Sequence, residues 1–393
     1  MNSDSSISVA LAGGGIGGLA CALALARHGF RSVVFEQAPA FGEIGAGLQV
    51  APNALAVLGA LGVTEARKNC LVIEGVEMID AVTGEKFLDI PCGAAFEKRF
   101  GNPYAVAHRS DIHGALLRAC QASDFIDLRT DSRVTSFVFS KGGVSVGLNS
   151  GETRDAAALI GADGIRSRIR RLVVGDDEPL TAGAVIYRAL IPAGDMPRDE
   201  QKLYPTIWAG PRAHMIYYPI RDRSAFNLAI TVVNPELAKQ DEGKASCEEV
   251  IKAFIPRHDT PRRLIGIPEQ FARYLIRYRE PVANWSEGPV TLLGDAAHPM
   301  VQYLAQGAAL EDAICLAECL AEGEGNFAEA FQRYQTIRIV RSARVQLSAM
   351  MMDRILHAAD VERLVRNSMF VGRTPEEYYD RLSWLYTSPW YVR

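Results

Sequence analysis

A glycine-rich turn between an apolar run and a helical repeat constrains this 393-residue chain more than any other feature. Ile7 to Ala12 reads as a short buried parallel strand, and Gly13-Gly14-Gly15-Ile16-Gly17-Gly18 follows it directly. Leu19, Ala22, Leu23 and Ala26 then recur at helical spacing until Gly29 stops the helix, and Ser32 to Phe35 supplies a second strand. Glu36 ends that strand, where an acidic side chain can hydrogen-bond a ribose hydroxyl while the helix N-terminus faces a pyrophosphate. The glycines allow a tight turn, close approach of backbone to phosphate, and helix–strand packing with no side chain between. A glycine turn without a ligand is the competing reading, and the strand, helix and acidic residue all in place argue against it.

Two further motifs follow in order, Gly161-Ala162-Asp163-Gly164 and Gly294-Asp295-Ala296-Ala297-His298-Pro299. Together the three describe loops that grip the pyrophosphate, the ribityl chain and the second ribose of one large dinucleotide, FAD. Val290 to Leu293 reads as an apolar strand, Gly294 permits close approach, and Asp295 at the strand end can accept hydrogen bonds from hydroxyls. Gly307-Ala308-Ala309 opens a helix with Glu311 and Asp312 in its first turn. Backbone N–H groups there are expected to face the flavin pyrimidine edge and favour the negative charge of the reduced form. His298 is read as a structural loop histidine in preference to a catalytic one.

Composition narrows the function classes. The net charge of −4, from 42 basic and 46 acidic residues, gives no electrostatic reason for nucleic acid or an anionic membrane as partner. Seven scattered cysteines form no disulfide framework and no Cys-x-x-Cys metal pair, so no metal is expected and a reducing cytoplasm is the simplest location. Cys315 and Cys319 read as two small buried residues. Val9 to Ala26 is free of charge, yet Asp4 precedes it and five glycines interrupt it, so no integral membrane span is expected.

Between Thr181 and Val233 the pattern turns to β, with strands over 184–191, 206–210, 214–220 and 225–233. Spacing this close requires antiparallel pairing. The expected fold is α/β, a Rossmann-like FAD-binding parallel sheet of glutathione reductase type interleaved with a mainly antiparallel β substrate domain, plus C-terminal helices. Residues 1–75, 105–178 and 279–325 are assigned to the FAD-binding domain, 76–104 and 179–278 to the substrate-binding sheet, and 326–393 to the helical segment. Phe331, Tyr334, Ile337, Val340, Ala343, Leu347, Met351 and Ile355 recur as the apolar stripe of one long amphipathic helix. Arg333, Arg338, Arg341 and Arg344 on it read as a solvated face or a subunit contact, compatible with a homodimer, and Met350 to Met352 read as packing.

With these residues in place, the chain resembles the single-component flavoprotein aromatic hydroxylases related to p-hydroxybenzoate hydroxylase, over essentially its whole length. The resemblance implies that Gly13, Gly15 and Gly18 contact the pyrophosphate and Glu36 the adenosine ribose. Arg109, in Tyr104-Ala105-Val106-Ala107-His108-Arg109, is similar to the arginine that neutralises the cofactor phosphates. Asp163-Gly164 matches a motif implicated in FAD and NAD(P)H binding, Asp295 is placed on the ribityl chain, and Gly45-Ala46-Gly47-Leu48-Gln49 beside the isoalloxazine. Phe41 to Gln49, Pro103-Tyr104, His108 to Asp111, Gly210 to His214, Tyr218-Pro219 and Gln302-Tyr303-Leu304 resemble the 3-hydroxybenzoate 6-hydroxylase branch of the family. That resemblance places Tyr104, His214, Tyr218 and Gln302 in the substrate site. Tyr217 departs from the pattern, but strand alternation puts His214, Ile216 and Tyr218 on one face and Met215 and Tyr217 on the other.

The family's flavin C4a-hydroperoxide is an electrophile, so a phenolic ring must lose its proton before oxygen transfer. A phenol near pKa 10 needs a base, and a histidine near 6.5 suits the task. His214 is the candidate base, Gln302 fixes the phenol, and Tyr104 and Tyr218 orient the acid. The expected reaction takes a phenolic aromatic acid, O2 and NADH or NADPH, most simply 3-hydroxybenzoate to 2,5-dihydroxybenzoate. Salicylate 1-hydroxylase or hydroxynicotinate monooxygenase activity is the alternative within the family. Outside it stand an NAD-dependent dehydrogenase and a non-catalytic carrier on the same fold, which leave Asp163, Asp295 and His214 without a task.

Overall fold

The three motifs converge because three strands become parallel neighbours. In the computed structural model, Ser8–Ala12 pairs in parallel with Arg31–Phe35 on one side and Ala158–Gly161 on the other, and Ala158–Gly161 pairs in parallel with Val290–Leu292. Ile126–Arg129 and the short edge strand Ser286–Glu287 complete a six-stranded sheet. Val9, Leu11, Leu159, Ile160 and Leu292 are fully buried, as expected of parallel strands covered on both faces. Gly13, Gly161 and Gly294 therefore all sit at carboxyl ends of adjacent strands, where open α/β sheets bind ligands. The described residues are 8–42, 46–176, 178–254, 258–304, 307–323 and 325–392, so Ile7 and the Glu43, Ile44 and Gly45 part of the flavin-side segment lie outside them.

A second, eight-stranded sheet holds Leu180–Pro192, Thr206–Gly210, Ala213–Ile220 and Ala225–Val233, close to the expected bounds and paired antiparallel. Gly75–Asp80 joins it through one parallel pairing with Thr206–Gly210. Met215 and Tyr217 face a core that includes Val250 and Phe254 of the helix Cys247–Phe254 and Leu264 and Ile265 of Asp259–Ile265. Tyr217 donates its hydroxyl proton to Glu200 on that side, as alternation requires. The opposite face carries rows of directly paired residues: Ile186, Thr231 and His214; Arg188, Ala229 and Ile216; Leu190, Asn227 and Tyr218.

The tail forms the helices Phe327–Leu356, Asp360–Phe370 and Pro375–Tyr386. Thr374 and Glu377 form a capping box that starts the last of these. Tyr379 and Tyr386 pack edge-on against Phe96 and Phe100, so the tail is built into the wall around Tyr104.

The apolar stripe expected on Phe327–Leu356 is corrected. Phe331 and Tyr334 are buried, but Val340 is 75% and Met351 68% exposed. Phe331 and Val340 are joined by steps of three residues, and nine residues at about 100° each carry the stripe roughly 180° around the helix. Ser342, Val345, Gln346 and Ala349 form the buried face further along. The arginine reading is corrected with it: Arg338 is buried and Arg341 largely so, both bound to carboxylates. Cys315 and Cys319 are buried free cysteines. No helix among the described residues is long and apolar enough to cross a membrane.

Candidate active site

The carboxyl ends of the parallel strands open into a cleft of about 630 Å³ lined by Gly13, Gly15, Glu36, Gln49, Arg109, Asp163, Gly164, Asp295 and Gly307. Gly13 has φ +109°, and a Cβ there would lie 2.3 Å from the Ala162 carbonyl oxygen. Gly18 stands behind the cleft, where a Cβ would meet the Gly13 carbonyl at 2.0 Å. Glu36 ties the turn down, accepting the Gly14 N–H at 2.8 Å and the Ala38 N–H at 2.9 Å. His113 was missed by sequence reasoning; its Nε2 donates to the Gly14 carbonyl at 2.8 Å. The available signal was its position one helical turn beyond Arg109.

The Asp163 carboxylate serves its own loop. It accepts from Ser167 Oγ at 2.5 Å, the Arg168 N–H at 2.7 Å and the Ile169 N–H at 3.2 Å, and burial raises its pKa despite these bonds. Asp295 is exposed on the turn Gly294–Ala296. Asp312 holds that turn, accepting the Gly294 N–H at 2.9 Å, with His298 Nε2 at 2.6 Å and Arg338 Nε at 2.6 Å. Burial pushes the Asp312 carboxyl up, and His298 and Arg338 override it and hold the carboxyl below its ordinary range.

Glu311 and Asp312 therefore do not decorate an open helix start. Both are buried, and Glu311 binds Arg338, Arg341 and Asn53. Ala308 begins the helix Ala308–Glu322, and its carbonyl accepts from Arg338 at 3.2 Å. His298 is buried in this network and lies edge-on to Trp285, the structural role expected of it.

The substrate candidates gather on the face of the second sheet. His214 is buried, and burial together with His357 holds its pKa well below 6.5, so it is neutral near pH 7. Gln302 Nε2 donates to Oγ1 of Thr231, the residue paired with His214, at 3.4 Å. Tyr218 lies four residues along from His214, about 13 Å at roughly 3.3 Å per residue, with Ile216 between them. Tyr104 donates to Gln49 Oε1 at 2.7 Å, which joins the substrate side to the cofactor cleft. Burial raises the pKa of both tyrosines, so they remain neutral hydroxyls. Gly47 lies over this end; its N–H donates to Asn227 Oδ1 at 2.8 Å, and a Cβ on it would stand 2.7 Å from the Tyr218 ring.

Sequence reasoning also missed Arg188, His357 and Asp353. Arg188 shares the row of Ile216, and the titratable groups that act on it among the described residues include no carboxylate. Burial, with the Arg109 charge adding to it, lowers its pKa. A single charge inside an otherwise apolar strand was the signal for it.

The comparisons with known proteins agree with this geometry. Residues 6–346 match the FAD binding domain family. A 3-hydroxybenzoate 6-hydroxylase of Polaromonas naphthalenivorans is 44% identical over 97% of this chain and 96% of its own length. The chain belongs to the FAD-dependent aromatic hydroxylase family. A second 3-hydroxybenzoate 6-hydroxylase, from Klebsiella oxytoca, is 42% identical to this hydroxylase over 96% of the chain and 95% of its own. Among solved structures, Klebsiella pneumoniae HpxO in complex with FAD and uric acid superposes at a TM-score of 0.85, with 24% identity over 98% of both chains. A salicylate hydroxylase substrate complex gives 0.81 at 21% identity, over 98% of this chain and 96% of its own. At these identities the two structures speak for the fold.

The residues present fit FAD. The turn at Gly13 has no room for a side chain, Asp295 offers a solvent-facing carboxylate for hydroxyls, and Arg109 brings a cation to the same cleft.

Proposed function

We propose that this hydroxylase converts 3-hydroxybenzoate to 2,5-dihydroxybenzoate, using O2 and NADH or NADPH. The observation that carries the reading is His214, a buried neutral imidazole one row from Ile216, with Gln302 bound to its cross-strand neighbour Thr231. Gly13, Gly15, Glu36 and Arg109 hold the adenosine diphosphate half of FAD in this reading, with Gly18 packed behind the turn to let the helix come close; Asp295 holds the ribityl chain, and Gly47, Gln49, Gly307 and Ala308 surround the flavin. Asp163 and Gly164 shape the loop beside the dinucleotide.

The ring of the substrate lies across Ile216. His214 Nε2 accepts the phenolic proton, Gln302 donates to the phenolate oxygen, and Tyr218 and Tyr104 orient the carboxylate. Arg188 supplies the cation that a buried carboxylate requires. Removing the phenolic proton puts negative charge on the carbon para to the oxygen, and that carbon takes the new hydroxyl. Bound FAD supplies the electrophilic oxygen once reduced and exposed to O2; the protein's part is binding, orientation and exclusion of water.

The reading includes a cytoplasmic location and a homodimer. Exposed Val361, Leu364, Val365 and Met369 of Asp360–Phe370 support the dimer, with a second copy covering them, and sedimentation of the holoenzyme tests it. The substrate is tested with a panel of hydroxylated aromatic acids scored together for NAD(P)H oxidation, O2 uptake and product. The expected result is coupled formation of 2,5-dihydroxybenzoate from 3-hydroxybenzoate; release of catechol from salicylate as the preferred reaction would overturn it.

A further inference from the structure

His214 does not stand alone at its end of the sheet. Its Nδ1 lies 2.8 Å from Nε2 of His357, the residue that ends the helix Phe327–Leu356. The other ring nitrogen of His357, Nδ1, lies 3.2 Å from Asp353 Oδ1, one helical turn back. Asp353 in turn accepts the Tyr303 hydroxyl proton at 2.8 Å, and the Tyr303 ring packs edge-on to His214. His214 and His357 are both buried, while the Asp353 side chain is 33% exposed. A chain of groups thus runs from the sheet face to solvent.

We propose that Asp353, acting through His357, sets the tautomer of His214, and that His357 receives the charge, held beside the Asp353 carboxylate, when His214 takes the phenolic proton. The proposal rests on the reading of His214 as the base. Two imidazole nitrogens 2.8 Å apart can share only one proton, so one donates and the other accepts. The His357 Nδ1–Asp353 contact lies off the ideal hydrogen-bond line, yet a carboxylate accepts only, so it favours the proton on Nδ1 of His357. Nε2 of His357 is then a lone pair, Nδ1–H of His214 donates to it, and Nε2 of His214 is left as the lone pair facing the substrate. The opposite tautomer would put a proton on that Nε2 and abolish the base.

The transfer balances without a further reactant. The phenolic O–H breaks as N–H forms at Nε2 of His214; the Nδ1–H of His214 breaks as N–H forms at Nε2 of His357. The products are a phenolate and a His357 imidazolium beside the Asp353 carboxylate, while His214 ends neutral. The positive charge has moved from a fully enclosed ring to one flanked by an anion. His357 and Asp353 are positioning residues here, since neither touches the substrate.

The test uses holoenzyme labelled with 15N at its seven histidines, the His214 signal being assigned by its loss in H214Q. Wild type should show Nδ1 protonated and Nε2 unprotonated at His214 before any aromatic acid is added. In Asp353→Asn the amide can donate as well as accept, so His214 should become a mixture of tautomers. The phenolate fraction of bound 3-hydroxybenzoate, read by ultraviolet difference absorbance, should fall at least about tenfold, less than the roughly 100-fold expected from losing the base itself. In His357→Gln the amide can likewise accept or donate, so the tautomer should become mixed, and the phenolate fraction should fall because no second imidazole takes up the proton.

A wild-type His214 protonated at Nε2, or Asp353→Asn with unchanged tautomer and unchanged phenolate fraction, would overturn the proposal. If Asp353→Asn does not fold, His357→Gln decides alone, and a phenolate fraction equal to wild type overturns it. Should wild type fail to hydroxylate 3-hydroxybenzoate, the substrate reading falls, and the tautomer measured without substrate still decides whether Asp353 controls His214.

Discussion

The backbone of Gly47 rests on the side chain of Asn227: the Gly47 N–H donates to Asn227 Oδ1 at 2.8 Å, and a Cβ on Gly47 would stand 2.5 Å from Asn227 Cβ. The contact joins a strand at the edge of the cofactor cleft to the row of Tyr218. Gly47→Ala should cost about 1–3 kcal/mol, the usual scale of overpacking. Asn227→Gly should recover more of that loss than Asn227→Ala, because the clash begins at Asn227 Cβ itself. Urea unfolding of the double-mutant cycle measures the coupling, and equal recovery by the two partners would show that the Cβ contact is not the cause.

Denaturation of the yellow holoenzyme should release FAD and no FMN, because Glu36 and the Gly13 to Gly18 turn belong to an adenosine-binding half. Glu36→Ala removes the acceptor of both the Gly14 and Ala38 N–H groups, so it should weaken FAD retention while the sheet still forms. Flavin-to-protein absorbance after dialysis, with chromatography of the released cofactor, checks both statements.

Arg338→Met leaves Glu311 and Asp312 buried with one cation fewer, a change expected to cost about 3–5 kcal/mol. The pH dependence follows from the depressed Asp312 pKa. Its stabilising contribution is complete above the unfolded carboxylate value of about 3.9 and is lost as pH falls below that toward the folded value. Unfolding free energies measured at several pH values should show a smaller acid loss in the variant than in wild type.

His214→Ala should retain FAD yet lose roughly 100-fold or more in hydroxylation, the scale of a positioned acid–base group. Reduced flavin that cannot pass oxygen to the ring should release it as hydrogen peroxide, so NAD(P)H consumption would outrun product. Gln302→Ala should lose less. Tyr217→Phe should leave turnover unchanged and register only in stability, at about 1 kcal/mol, because its hydroxyl meets Glu200 on the far side of the sheet. Full hydroxylation by the His214 variant at neutral pH would refute the base assignment.

Arg188→Leu should raise KM for the aromatic acid by tenfold or more, about 1.4 kcal/mol per tenfold, at unchanged FAD content. A phenol without a carboxylate should feel the change least. Equal loss for both ligands, measured by flavin-reduction kinetics, would remove Arg188 from the carboxylate site.

What the sequence by itself determined lies within short stretches of chain. The strand, glycine turn and helix around Gly13, the four antiparallel strands between 180 and 233, and the opposite orientations of Tyr217 and Tyr218 follow from local periodicity and alternation, which depend only on neighbouring residues. The order of the three glycine motifs also pointed to one dinucleotide, since each ends a strand of the parallel sheet. Tertiary structure alone decided which groups meet across long separations. His214 and His357 are 143 residues apart, and Arg338 reaches Asp312 across 26, so their partners depend on which helix docks and on which face. The stripe on Phe327–Leu356 shows the limit of periodicity: apolar spacing predicted one buried side, but a step of three residues falls about 60° short of a full turn, so the stripe drifts around the helix, and packing buried Arg338 while leaving Val340 in solvent. Arg188 joined the substrate face for the same kind of reason, because strand pairing, which no single strand encodes, placed it in the row of Ile216.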